Sequence, residues 1–171
     1  MVGVTLAVAG IGAVTALLAL SAFFSSSETA IFSLPSEWFE QQAGTDDPRG
    51  DVLKELHDDP HRLLVTLLVG NNVVNIAISS IVTVLIASYL PPGAAIVATT
   101  LCTSFLVLVF GEIVPKAFGL GNAETWSLRV ASAVRLVERV LSPLITLFDG
   151  ITRRMNAYIS GDASIEKPYT D

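Results

Sequence analysis

Near-absence of charge over three long apolar stretches constrains this chain more than any other feature. The first runs from about Val2 to Phe24, with weaker apolar character continuing to Leu34. The second runs from Leu63 to Leu90, and the third from about Ala94 to Phe110, closing in GEIVPKAFGLGN. At 1.5 Å per residue, a helix of about 23 residues reaches roughly 34 Å, enough for the roughly 30 Å hydrocarbon core of a bilayer. The composition agrees: 15% of the 171 residues are charged and 51% are hydrophobic, with a mean hydropathy of +0.62. Soluble domains are about 25% charged. The expected fold class is an all-α membrane protein with three transmembrane helices followed by amphipathic juxtamembrane helices.

The opening MVGVTLAVAG has no Lys or Arg and its apolar run is too long for a secretory h-region, so it reads as a retained helix. Between the second and third spans, YLPPG (89–93) is a tight connection, because proline stops a helix and glycine permits the turn. All 10 basic residues fall in two places: Arg49, Lys54 and Arg62 in the first loop, and Lys116 onward. Three spans put both regions on one side, which the positive-inside rule makes cytoplasmic. The N-terminus is then outside and the C-terminus inside.

Residues 1–122 are expected to form the transmembrane domain, with an acidic cytoplasmic loop at 37–62 whose ends form short surface helices. Residues 123–159 carry an amphipathic helical pattern, with Val130, Val134, Val137, Leu141, Leu144 and Phe148 opposite Arg129, Ser132, Arg135, Arg139, Ser142 and Thr146. Such a helix suits the cytoplasmic membrane interface, or packing on a soluble domain. Pro143 is expected to break or kink it. The polar stretch 160–171 reads as the start of a linker, cut before a further module.

Several function classes find no support. A net charge of −6 with no basic stripe disfavours nucleic acid. No GxSxG, HExxH, phosphate loop or CxxC is present, so no enzyme is expected. The lone Cys102 allows no intrachain disulfide. His57 and His61 lie four apart with Asp58 and Asp59 between them, which fits a metal pair or a solvated patch interrupted by Pro60.

Polar groups inside a span are costly, about 2.5–3.5 kcal/mol for a centred charge, and so mark function by default. Each span supplies one set. In SAFFSSSETAIFSL, Ser21 and Ser25 share a helix face, with Ser26, Ser27 and Glu28 just beyond. Their hydroxyls can bend the helix by bonding back to the i−4 carbonyl, or simply permit close helix packing. Ser27 and Glu28 would line a cavity mouth or pack the bend. In LLVGNNVVNIAIS, Asn71 and Asn75 share a face beside Asn72, with Gly70 allowing close approach. Asparagine amides can equally bond between helices. In FGEIVPK, Pro115 cannot donate to the Gly111 carbonyl, which is left free, with a kink or break expected beside Glu112. A carboxylate beside an unpaired carbonyl suits a cation; Glu112 could instead pair with Lys116, four residues on.

By helical rise, Asn71 and Asn75 lie roughly 12 and 18 Å inward of Leu63, and Ser25 about 16 Å inward of Ser36. The sets can therefore converge in the inner half of the bilayer. The convergent chemistry is oxygen only, which suits Mg²⁺, Ca²⁺ or Na⁺.

In this order, SAFFSSSETAIFSL, LLVGNNVVNIAIS and FGEIVPKAFGLGNA resemble the transmembrane domain of the CNNM/CorC family of magnesium transport proteins. The resemblance runs over most of residues 1–155. It implies a homodimer embedded in the lipid of the plasma membrane, a belt of juxtamembrane helices, and Mg²⁺ efflux with Na⁺ as a proposed exchange partner. It also implies metal ligands from Ser21, Ser25, Asn71, Asn75, Gly111 (carbonyl) and Glu112. Family members continue into a cytoplasmic CBS-pair module, which this chain does not contain. A membrane-embedded Mg²⁺ sensor or anchor that regulates a partner would use the same ligands.

Overall fold

The structure, a computed structural model, describes residues 2–159, with side chains described from 5 to 147. The linker expected at 160–171 and the side chain of Phe148 lie outside the described residues. The described chain is all-helical: α1 (Val2–Phe32), α2 (Ser36–Ala43), α3 (Pro48–Asp58), α4 (Pro60–Ala87), α5 (Pro92–Leu106), a π-helix (Val107–Ile113), α6 (Val114–Gly121) and α7 (Ala123–Ile159). Among the described residues, three continuous helical stretches are long and apolar enough to cross a membrane: Thr5–Phe32, Pro60–Ala87 and Pro92–Gly121.

Local chemistry sets the breaks. Proline at the first helical position loses nothing, because that N–H has no intrahelical acceptor. Pro48, Pro60 and Pro92 all take this role. Asp47 caps α3 through the Arg49 N–H, and Asp59 both closes α3 and caps α4 through the Arg62 N–H at 3.1 Å.

The two spans α1 and α4 pack along each other, and the π-helix and α6 close against α1. Between α1 and α4, Gly70 faces the Phe24 ring; a Cβ there would lie 2.6 Å from Phe24 Cζ. Helices in lipid gain no hydrophobic drive from one another, so close approach at small residues carries the association. The core runs from Val14 and Val82 through Phe24, Leu67, Val74 and Ile78 to Phe39, Leu53 and Leu63, where α2 and α3 cover the ends of the spans. Outward faces keep large apolar side chains exposed, among them Leu6, Val73, Ile76, Ile96, Leu101 and Phe105. An apolar surface that broad fits a lipid environment.

At Pro115, where a kink or break was expected, the third span is not broken: it widens into the seven-residue π-helix, with the Val114 N–H donating to the Val109 carbonyl five residues back, and continues as α6. The helix thus continues through Pro115, whose missing N–H still leaves the Gly111 carbonyl without its i+4 donor. Likewise, α7 runs through Pro143 without interruption.

The apolar stripe of α7 falls where its sequence pattern puts it: Val130 and Val134 are buried and Val137, Leu141 and Leu144 half-buried, while Arg129, Ser132, Arg139 and Thr146 of the opposite stripe are exposed. Two members of the polar stripe depart from it. Arg135 and Ser142 turn inward, into a network that sequence pattern alone assigned to solvent. Its centre is Glu138, whose side chain is only 10% exposed and pairs with Arg62 at the start of α4. Arg135 bridges Glu138 at 3.3 Å and Glu55 on α3, so α7 is tied electrostatically to both α3 and α4.

Candidate metal centre

Ser21 is fully buried in α1, at the level where α4 presents Asn71 and Asn75 one turn apart. Its hydroxyl stands 2.8 Å from Asn71 Oδ1 and 2.9 Å from Asn75 Oδ1. One hydroxyl proton is therefore shared by two amide oxygens, leaving acceptor capacity unsatisfied at the centre of the bundle. Gly111, buried in the π-helix, completes the group from the third span. A Cβ on Gly111 would sit 2.7 Å from Ser21 Oγ and 3.4 Å from Ser21 Cβ, so only glycine lets the backbone come this near. The Gly111 carbonyl is also the one that Pro115 denies its ordinary i+4 donor.

Ser25, fully buried one turn beyond Ser21, reaches the cluster through a long 3.5 Å contact from Asn71 Nδ2. Glu112 follows Gly111 and is half-buried, but makes no hydrogen bond or ion pair with the other candidates or with any other group among the described residues. The structure thus brings together Ser21, Asn71, Asn75 and Gly111, with Ser25 at the edge and Glu112 adjoining. Neutral oxygens dominate; among the described residues no three His, Cys, Asp or Glu side chains gather as a metal site.

The other singled-out residues serve elsewhere. Lys116 does not meet Glu112; its Nζ lies 3.3 Å from Glu28 Oε2. His57 stacks on Phe39 at 3.9 Å between ring centroids, and its Nε2 is 3.4 Å from Ser36 Oγ. Ser26 bonds back to the Ala22 carbonyl at 2.7 Å and accepts from Trp126 Nε1 at 3.1 Å, tying α1 to α7. Ser27 is fully buried with its hydroxyl unpartnered. Trp126 and Glu138 went unselected in the sequence, where an indole or carboxylate on an amphipathic helix looks like surface.

Comparison with known proteins places these observations in a family. A profile of the CNNM cyclin M transmembrane N-terminal domain matches residues 12–171. The chain is 36% identical over 129 residues to a chloroplastic DUF21 domain-containing protein of Arabidopsis thaliana, covering 75% of this chain and 19% of that protein. It is 30% identical over 142 residues to a UPF0053 protein of Synechocystis, covering 83% and 41%. A UPF0053 inner membrane protein of Escherichia coli, YfjD, is 29% identical over 136 residues, covering 80% and 32%. The chain spans from 19% to 41% of the length of these relatives.

Proposed function

The chain belongs to the CNNM cyclin M transmembrane-domain family, and from that premise we propose that it moves divalent metal cations, with Mg²⁺ as cargo, across the plasma membrane. The observation that carries this reading is the shared Ser21 hydroxyl between Asn71 Oδ1 and Asn75 Oδ1, pressed against the backbone of Gly111. Acceptor oxygens brought together from two spans, against the backbone of the third, are poorly satisfied by one proton and well satisfied by a hard cation. Mg²⁺ takes oxygen ligands at about 2.0–2.1 Å in octahedral geometry and keeps several of its waters. Ser21, Asn71, Asn75 and the Gly111 carbonyl would supply the inner oxygens, and Ser25 a peripheral one. Glu112 would supply the negative charge that offsets dehydration.

The direction is efflux from the cytoplasm, with Na⁺ as the candidate coupling ion, in a homodimer whose N-terminus is outside. In the whole protein a CBS-pair module would follow on the cytoplasmic side. The chain performs no enzymatic chemistry in this account.

Two measurements test it. Mg²⁺ should raise the melting temperature of the purified chain in detergent, and Glu112→Ala or Asn75→Ala should abolish that rise; an unchanged rise in both sinks the site. Proteoliposomes loaded with Mg²⁺ should release it through the wild-type chain. Binding without flux would refute transport and favour a sensor.

A further inference from the structure

Lys116 follows Glu112 by four residues, the spacing at which a helix brings opposite charges together. Left to that local rule, the ammonium would settle on the Glu112 carboxylate. The structure takes it elsewhere: Lys116 Nζ lies 3.3 Å from Glu28 Oε2 on α1, across the interface between α1 and α6. Glu28 is 27% exposed and Lys116 45%. Glu112 is half-buried beside Gly111 and pairs with no cation among the described residues.

We infer that Glu28 is a positioning residue that holds Lys116 away from Glu112, so that the metal centre keeps an unneutralised carboxylate. The inference rests on the ion-carrying reading above and adds a determinant of its affinity. A lysine on Glu112 would occupy its lone pairs and cancel the charge that must compensate a dehydrating divalent cation. Glu28 prevents this by competition: it offers the same ammonium a carboxylate across the α1–α6 interface. The clip sits three residues beyond Ser25 on α1 and four beyond Glu112 on the third span. It thus closes α1 against α6 next to the site without contributing a ligand to it.

A charge-rescue series tests this in the purified full chain, with Mg²⁺ alone as the ligand. Apparent affinity is read from the Mg²⁺ concentration that half-saturates the thermal shift. Glu28→Gln should weaken it about tenfold, as expected when a cation is released onto the site carboxylate at short range. Lys116→Met alone should leave affinity unchanged or tighter. The double variant Glu28→Gln/Lys116→Met should return to within about twofold of the wild type, because the competing ammonium is gone. An unaffected Glu28→Gln overturns the proposal. So does a double variant as weak as Glu28→Gln, which would make Glu28 act on the ion itself.

A second readout needs no Mg²⁺. The rate at which an amine-reactive ester modifies Lys116, followed by mass spectrometry, reports its partner. Glu112→Gln should not change that rate in the wild-type background and should raise it in the Glu28→Gln background. A rise in the wild-type background places Lys116 on Glu112 and overturns the proposal. Because this arm works without a bound ion, a chain that failed to bind Mg²⁺ would refute the transport reading while still deciding where Lys116 sits.

Discussion

Replacing Gly111 with alanine separates the geometry of the site from the helix that carries it. The added methyl would stand 2.7 Å from Ser21 Oγ and 3.4 Å from Ser21 Cβ. Either the π-helix moves off α1, or Ser21 turns away and gives up its bonds to Asn71 and Asn75. Overpacking of this kind costs about 1–3 kcal/mol. A displaced hydroxyl adds about 1 kcal/mol for a lost hydrogen bond. Opposing them, alanine is the better helix former by up to about 1 kcal/mol. The net is a destabilisation of about 2 kcal/mol, which at this chain length lowers the melting temperature by about 4–8 °C. Intrinsic tryptophan fluorescence during heating in detergent, with and without Mg²⁺, would measure it. Gly12→Ala is the control, since nothing lies within 4 Å of a Cβ there; it should melt at or slightly above the wild type. A Gly111→Ala protein that melts within about 1 °C of the wild type and keeps its full Mg²⁺ shift would refute the close-approach reasoning.

Two further outcomes follow from other parts of the molecule. Glu138→Ala strands Arg62 and Arg135 at the α4–α7 contact and should cost about 3 kcal/mol, the low end for breaking a buried pair because Arg62 is 32% exposed; chemical denaturation of Arg62→Leu, Glu138→Leu and the double variant should give a double smaller than the sum. Asp47 accepts from the Arg49 side chain at 2.7 Å and from its backbone N–H at 3.0 Å, and these bonds hold the Asp47 carboxyl below its ordinary 3.8. Its folded-state value is depressed, so its contribution is present above the unfolded value and lost as pH falls through the folded one. Asp47→Asn, which preserves the cap, should therefore narrow the difference in melting temperature between neutral and strongly acidic buffer; an unchanged difference would rule out the Asp47–Arg49 contribution.

Much of the frame was legible because lipid makes polarity conspicuous. Ser21, Asn71 and Asn75 stood out against apolar neighbours, and their periodicity placed each on one helix face. Gly111 was legible through Pro115, which removes a specific donor. What the donor rule could not supply was the response of the preceding turns, which widen into a π-helix where a kink or break was expected. Lys116 had a ready local partner in Glu112, and its actual partner Glu28 comes from a different span. The same limit hid Glu138: on α7 it reads as a solvated carboxylate until Arg62 arrives from the head of α4. Local patterns identify which groups are costly, whereas tertiary packing decides which of several affordable partners each one takes.

The most direct test of the central claim is anomalous scattering from crystals of the chain grown with Mn²⁺ in place of Mg²⁺. The account predicts a peak among Ser21 Oγ, Asn71 Oδ1, Asn75 Oδ1 and the Gly111 carbonyl, in octahedral oxygen coordination, with Glu112 drawn toward it. A cluster left empty at saturating Mn²⁺, or a peak held only at the His57 and His61 loop, would contradict it.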